Sequence, residues 1–140
     1  MKNEFVPYDM ALAMKELGFD EKVFGHYIYR ELRLLIINGY KEGIELLAPT
    51  YSQAFRWFRE KYKLMSYVHS VTLSSTRDNK DEWIWKNWIF HISNPKGGWA
   101  SQKKDERIYF HLDSRDGFDT YGEAQDACLK KLIEIVKEKL

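Results

Sequence analysis

The side chains best suited to metal binding in this chain are its four histidines. His26, His69, His91 and His111 are separated from one another by at least 20 positions, whereas zinc sites usually contain ligand pairs only a few residues apart. The last three fall in segments of β-like composition, and His91 and His111 are expected to be neighbours on adjacent strands. The pattern therefore predicts ordinary β-sheet histidines, with no metal site and no cofactor.

Nucleophilic or acid–base catalysis needs a reactive side chain oriented by a second group, and the sequence shows no such arrangement. Cys128 falls on the apolar face of the last predicted helix, where burial makes a thiol unreactive. Asp113 and Asp116 lie beside Arg115 in a predicted turn, which is typical of a solvated loop. Residues 94–98 (Asn-Pro-Lys-Gly-Gly) follow a strand without opening a helix, unlike a phosphate-binding loop. No catalytic residue is predicted, and the protein is expected not to be an enzyme.

A tryptophan-rich segment is the main candidate for a binding surface. Residues 83–92 read WIWKNWIFHI, so a strand there places Trp83 and Trp85 on one face and Trp88 on the other. One sheet face alone does not bury both sets, and tryptophan is enriched at the centres of protein interfaces. We therefore expect a protein partner or self-association. The predicted contact residues are Trp83, Trp85, Trp88 and Trp99.

Nucleic-acid binding is the alternative function. The order helix–strand–strand–strand–helix after Pro49 matches that of double-stranded-RNA-binding domains. The net charge is only +1, and the last helix opens with Thr120 and Glu123, an acidic start that repels phosphate. Both features make this alternative weaker than protein binding. Its candidate contact residues are Arg56, Arg59, Lys61 and Lys63.

The first element that must position these side chains is a helix predicted at about residues 8–17. Pro7 is favoured in the first turn of a helix, and Gly18 adopts the left-handed conformation that closes one. Met10, Ala13 and Met14 follow the helical period of apolar residues.

Two later helices are predicted from a repeated start signal. Thr-Tyr-x-(Gln/Glu)-Ala occurs at Thr50 and again at Thr120, and each copy forms a capping box with the residue three positions on. The second helix is expected to end at about Tyr62 and to fill the core with an aromatic stripe. That stripe consists of Tyr51, Phe55, Phe58 and Tyr62. The apolar face of the last helix consists of Ala124, Cys128, Leu129, Leu132, Ile133, Ile135 and Val136.

Strands are predicted between these helices. Residues 24–30 and 32–37 are rich in aromatic and aliphatic side chains, and Asn38-Gly39 is the strongest hairpin signal in the chain. Gly43 and the β-branched Ile44 fit a returning strand that ends before Pro49. One helix over residues 27–37 is the open alternative. Residues 64–73, 83–92 and 107–112 are separated by charged or turn-forming stretches, which predicts an antiparallel meander.

These elements predict a single α+β domain over residues 1–140, with an antiparallel sheet packed against helices in the order α-β-β-α-β-β-β-α. Residues 1–48 would form a layer of one helix and a hairpin, and residues 49–140 an αβββα core. An apolar content of 44% with 31% charged residues is typical of a soluble globular protein. The chain has no apolar run of membrane-spanning length, no secretory-signal pattern and a single cysteine, so a cytoplasmic location and no membrane partner are expected.

Three further stretches are informative together. They are residues 18–21 with 24–27, residues 48–62, and residues 120–124 with 128–134. In these stretches the chain resembles a family of small uncharacterised proteins that recur in gut Bacteroidetes genomes and in their phages or mobile elements. The resemblance covers most of both ends of the chain and implies a genomic setting, but no activity, cofactor or functional residue. With the tryptophan-rich strand, it leads us to expect a non-enzymatic interaction protein that acts as a homo-oligomer.

Overall fold

The computed structural model describes residues 2–34, 46–74, 83–94, 109–111 and 117–139. These ranges contain three α-helices and two antiparallel sheets of three strands each, which confirms the predicted α+β class. After a short 3-10 helix at Lys2–Glu4, the elements are α1 (Tyr8–Glu16), β1 (Gly25–Ile28), β2 (Glu31–Leu34), β3 (Leu46–Ala48), α2 (Tyr51–Tyr62), β4 (Met65–Ser74), β5 (Trp83–Ser93), β6 (Tyr109–His111) and α3 (Tyr121–Lys139). The predicted order counts two strands before α2, whereas the structure has three, and β3 lies where a returning strand was expected to end before Pro49.

The chain forms two compact units. The first comprises Met1–Tyr62 with Leu129–Leu140, and the second comprises Lys63–Cys128. The sheet β2-β1-β3 belongs to the first unit and the sheet β4-β5-β6 to the second. The subdivision at residue 48 that the sequence suggested stays a prediction.

Helix α1 ends in a Schellman motif, as Gly18 predicted. Gly18 has a φ of +88°, its N–H donates to the carbonyl of Lys15 (2.9 Å), and the N–H of Phe19 donates to the carbonyl of Met14 (2.9 Å). These bonds satisfy carbonyl groups that the end of a helix leaves without partners. Met14 and Phe19 are both buried, so the motif also closes the apolar side of the helix end.

Both predicted capping boxes are present. The N–H of Gln53 donates to Thr50 Oγ1 (3.3 Å) while the Thr50 N–H donates to Gln53 Oε1 (3.0 Å). Thr120 and Glu123 make the same reciprocal pair at 3.2 and 3.1 Å. Each box starts its helix at the residue after the threonine, because the two bonds satisfy N–H groups that the first turn leaves free.

The first hairpin turns at a place that the sequence did not indicate. Ile28 pairs with Glu31, so β1 and β2 are joined by Tyr29 and Arg30 alone. Both have positive φ, 51° and 63°, as a type I′ turn requires, although asparagine and glycine are the residues that favour this turn. The Arg30 guanidinium lies over the Tyr8 ring, 5.2 Å from its centroid. That contact holds the turn against α1.

The hairpin predicted at Asn38-Gly39 lies outside the described residues. The alternative of one helix over residues 27–37 is wrong for residues 27–34, since Gly25–Ile28 and Glu31–Leu34 are paired antiparallel strands. Strand β3 then pairs with the other edge of β1, with Tyr27 opposite Leu46 and Gly25 opposite Ala48.

The core of the first unit is built on the sheet face that carries Tyr27, Leu46 and Ala48, all buried. The Tyr27 hydroxyl donates to the Val6 carbonyl at 2.7 Å, which ties the N-terminal segment to β1. Phe5 packs so closely against Gly25 that a Cβ there would lie 2.7 Å from Phe5 Cε1. Only glycine fits at this position without displacing the phenylalanine ring.

Helix α2 fills the same core, but not only through the predicted stripe. Tyr51 and Phe58 are buried as expected, whereas Phe55 and Tyr62 are only half-buried. Trp57, which the stripe left out, is buried and packs edge-on against Phe19, at 5.4 Å between ring centroids. The buried face is therefore rotated toward Trp57, because Phe19 in the segment after α1 supplies an aromatic partner there.

Candidate functional site

The second sheet positions most of the residues singled out by the sequence. Its strands follow the order β4-β5-β6, with Tyr67 opposite His91, Ser70 opposite Trp88 and His91 opposite His111. Since alternate residues of a strand point to opposite faces, the register defines two surfaces. We call them the aromatic face (Ser66, Val68, Ser70, Trp88, Phe90, Ile92, Phe110) and the histidine face (Met65, Tyr67, His69, Ile89, His91, Ser93, His111).

The aromatic face packs against the beginning of α3. Ile92 and Phe90 are buried, and Phe90 stacks on Phe118 with 6.4 Å between ring centroids. Cys128 is completely buried in α3 and forms a side-chain hydrogen bond with Ser66. This face is thus the hydrophobic core of the second unit.

Trp88 lies at the margin of this core. The Trp88 N–H donates to the Phe118 carbonyl and the Phe118 N–H donates to the Trp88 carbonyl, both at 2.8 Å. This antiparallel bridge continues the backbone pairing of β5 beyond β6. The half-buried indole packs edge-on against the Tyr121 ring with 5.3 Å between centroids. Tyr121 itself is 46% exposed. Trp88 and Tyr121, which we call the aromatic pair, are therefore held in place and still reachable by a partner.

The other predicted contact tryptophans are only partly described. Trp83 and Trp85 lie in β5, and their side chains are outside the described part of the chain. Trp99 lies outside the described residues altogether. The sequence analysis missed Tyr121, and its position directly after a capping threonine is no signal of exposure, because Tyr51 in the same position of α2 is buried.

On the histidine face three rings lie in nearly parallel planes. The His91 ring is 4.7 Å from Tyr67 and 4.9 Å from His69, with interplanar angles of 16° and 12°. Tyr67 is 59% exposed, whereas Ile89, which pairs with His69, is buried. The predicted neighbourhood of His91 and His111 on adjacent strands is confirmed.

The side chains described show no catalytic arrangement. Burial raises the pKa of the Cys128 thiol from 9.0 to about 12, and the hydrogen bond with Ser66 acts in the opposite direction with a smaller effect. A thiol with so high a pKa carries almost no nucleophilic thiolate at neutral pH. Within the described ranges, no three histidine, cysteine or acidic side chains are grouped so as to hold a metal ion.

The four basic residues of the nucleic-acid alternative have differing surroundings. Arg56 forms an ion pair with Glu21 (3.3 Å). Lys61 donates to the Leu17 carbonyl at 3.4 Å, and its Nζ lies 4.9 Å from the centroid of the Trp57 ring. Arg59 and Lys63 are exposed. Arg56 and Lys61 thus already have partners within the protein.

No protein-family model matches this chain, and no curated protein or solved structure matches it at a significant level. Membership of the family that the sequence resembles stays a prediction. Among the helices of the described ranges, none combines the length and the apolar character that crossing a membrane requires.

Proposed function

We propose that this protein is a non-enzymatic binding protein whose contact surface is aromatic and centred on Trp88 and Tyr121. The observation that carries the proposal is their edge-on packing at 5.3 Å with Tyr121 half exposed. Tryptophan and tyrosine in such a setting are typical hot-spot residues, since they bury a large area while losing little conformational freedom. Trp83, Trp85 and Trp99 are further candidate contact residues on the sequence alone.

The partner is proposed to be a protein, with a second copy of this chain as the first candidate. The net charge of +1 provides little long-range attraction for phosphate and favours contact through apolar area. A cytoplasmic setting is proposed on the single cysteine, and a phage or mobile-element origin on the resemblance alone.

The nucleic-acid alternative has less support. Arg56 and Lys61 are engaged with Glu21 and with the Leu17 carbonyl. At the start of α3, Glu123 accepts from the Thr120 N–H, so a carboxylate occupies the helix terminus where a double-stranded-RNA-binding domain would hold phosphate.

The proposal is tested with the wild type, Tyr121→Ala and Trp88→Phe. The mass of each purified protein gives its oligomeric state, and capture from the native host identifies the proteins that bind it. We expect each variant to weaken association at least about fivefold, because truncating a hot-spot side chain removes more than about 1 kcal/mol of binding free energy. Tyr29→Ala is the matched control, since Tyr29 is 92% exposed but lies at the hairpin of the first unit.

Circular dichroism establishes that each variant is folded before binding is compared. A monomeric wild type that captures no protein would exclude the proposal. Unchanged association in both folded variants would show that the contact surface lies elsewhere.

A further inference from the structure

The stretch that carries Tyr121 is acidic. Residues 117–129 contain three acidic residues and no basic one. Two of the three, Asp119 and Glu123, are exposed on either side of Tyr121 in the sequence, and Asp119 forms no hydrogen bond or ion pair within the described ranges. An exposed aromatic ring flanked by carboxylates favours a cationic partner, because the face of the ring and the carboxylates both attract positive charge.

Backbone pairing places Asp119 next to the aromatic pair. Its neighbour Phe118 exchanges two hydrogen bonds of 2.8 Å with Trp88, so the chain that leads into α3 is fixed along β5. The capping box does not need the Asp119 carboxylate, since Thr120 and Glu123 satisfy each other's N–H groups. The start of α2 has the same box but no acidic residue in its first turn. Asp119 is therefore available to a partner.

The opposite charge is found at the end of α2. Residues 56–63 contain four basic residues and one acidic residue, and Arg59 is exposed among them. Arg59 forms no hydrogen bond or ion pair with another described residue, whereas Arg56 is paired with Glu21. A guanidinium group suits an aromatic ring beside a carboxylate, since it stacks on the ring and donates two hydrogen bonds to the carboxylate.

We propose, resting on the function proposed above, that the partner of the aromatic pair is a second copy of this chain, whose Arg59 lies on the Tyr121 ring and pairs with Asp119. In a dimer with two-fold symmetry this contact occurs twice, because each copy provides one acidic aromatic surface and one basic end of α2. The rings provide the buried area, and the opposite charges determine which two surfaces meet.

The test measures dimerisation of the full chain by analytical ultracentrifugation. We expect Asp119→Arg and Arg59→Asp each to weaken dimerisation at least about tenfold, because each brings like charges together. The double variant exchanges the two charges, so it is expected to dimerise at least about threefold more tightly than either single variant.

Asp9→Arg is the matched control. Asp9 is an exposed acidic residue in the first turn of α1, so its replacement loses the same kind of interaction with a helix dipole but leaves the proposed contact intact. Its dimerisation is expected to equal that of the wild type. Urea unfolding of every variant separates a weakened contact between copies from a loss of stability within one copy.

A second measurement uses the wild type alone and does not depend on variants that fold. Raising the NaCl concentration from about 50 mM to about 500 mM is expected to weaken dimerisation at least about threefold, since salt screens exposed charges.

A monomeric wild type, dimerisation that does not weaken with salt, unchanged dimerisation in folded Arg59→Asp, or a double variant no tighter than the single variants would each overturn this assignment of the partner. The proposed function would survive any of these results if Tyr121→Ala weakened the capture of another protein. Unchanged association in both Tyr121→Ala and Trp88→Phe would instead remove the function and the partner together.

Discussion

Cys128 is the most constrained ionisable side chain described. It is completely buried in α3, and its thiol pKa is raised to about 12 because a thiolate there would lose its hydration. The sequence predicted an inert thiol from its place on the apolar helix face. The hydrogen bond with Ser66 is visible only in the folded sheet, since the two residues are far apart along the chain.

Native Cys128 is expected to resist thiol reagents at pH 8, whereas the protein unfolded in urea reacts with one equivalent. The unfolded thiol ionises near pH 9.0 and the folded one near pH 12, so stability is full below about pH 9 and falls as pH rises toward 12. Labelling rates and urea unfolding across this range measure both effects. Equal labelling rates in native and unfolded protein would contradict the assigned burial.

The helices form where their local sequence signals predicted them, whereas the first hairpin turns at a place that no local signal indicated. Both capping boxes form, and each threonine cap contributes about 1 kcal/mol to stability. The turn between β1 and β2 instead uses Tyr29 and Arg30 with positive φ, a conformation that is unfavourable for residues other than glycine and asparagine. Tertiary contacts, including that of Arg30 with Tyr8, maintain it.

Replacing Tyr29-Arg30 by Asn-Gly is expected to raise the free energy of unfolding by about 1 kcal/mol, because these residues relieve the strain of a type I′ turn. Urea unfolding of the double variant against wild type measures the change. Tyr8→Ala is the companion variant: it leaves the turn residues in place but removes the contact with Arg30 together with the edge-on packing of Tyr8 on Tyr27, so its loss of stability is an upper limit for the turn contact. A less stable Asn-Gly variant would mean that the contact with Tyr8 outweighs the strain.

At the scale of the whole molecule, charge decides between the two proposed partner classes. Twenty-two basic and 21 acidic residues leave a net charge of +1, whereas affinity for nucleic acid depends on many phosphate contacts. Each of the two units contains one sheet. Helix α3 is continuous, and its residues are divided between the two units. We therefore propose that any partner binds through apolar area.

We expect no mobility shift of double-stranded RNA or DNA by this protein at about 50 mM salt, a condition that favours electrostatic binding. A known double-stranded-RNA-binding domain, run in parallel, controls for the assay. A shift that disappears steeply with added salt and is lost in Arg59→Ala would favour the nucleic-acid alternative over protein binding.

The sequence by itself determined the elements whose information is local. The Schellman glycine, the two capping boxes and the apolar face of α3 each lie within a few residues, so their hydrogen bonds and burial follow from spacing alone. The antiparallel meander and the cross-strand neighbours His91 and His111 also followed, since regular alternation fixes which residues share a face.

The tertiary structure decided whatever depends on residues distant in the chain. Trp57 is buried because Phe19 packs against it, the hairpin turns at Tyr29 because α1 supports it, and Trp88 is paired with Tyr121. His69 joins His91 only through strand pairing. In each case the stabilising free energy comes from a contact between residues distant in the chain, which outweighs a local preference. No local sequence pattern encodes such a contact.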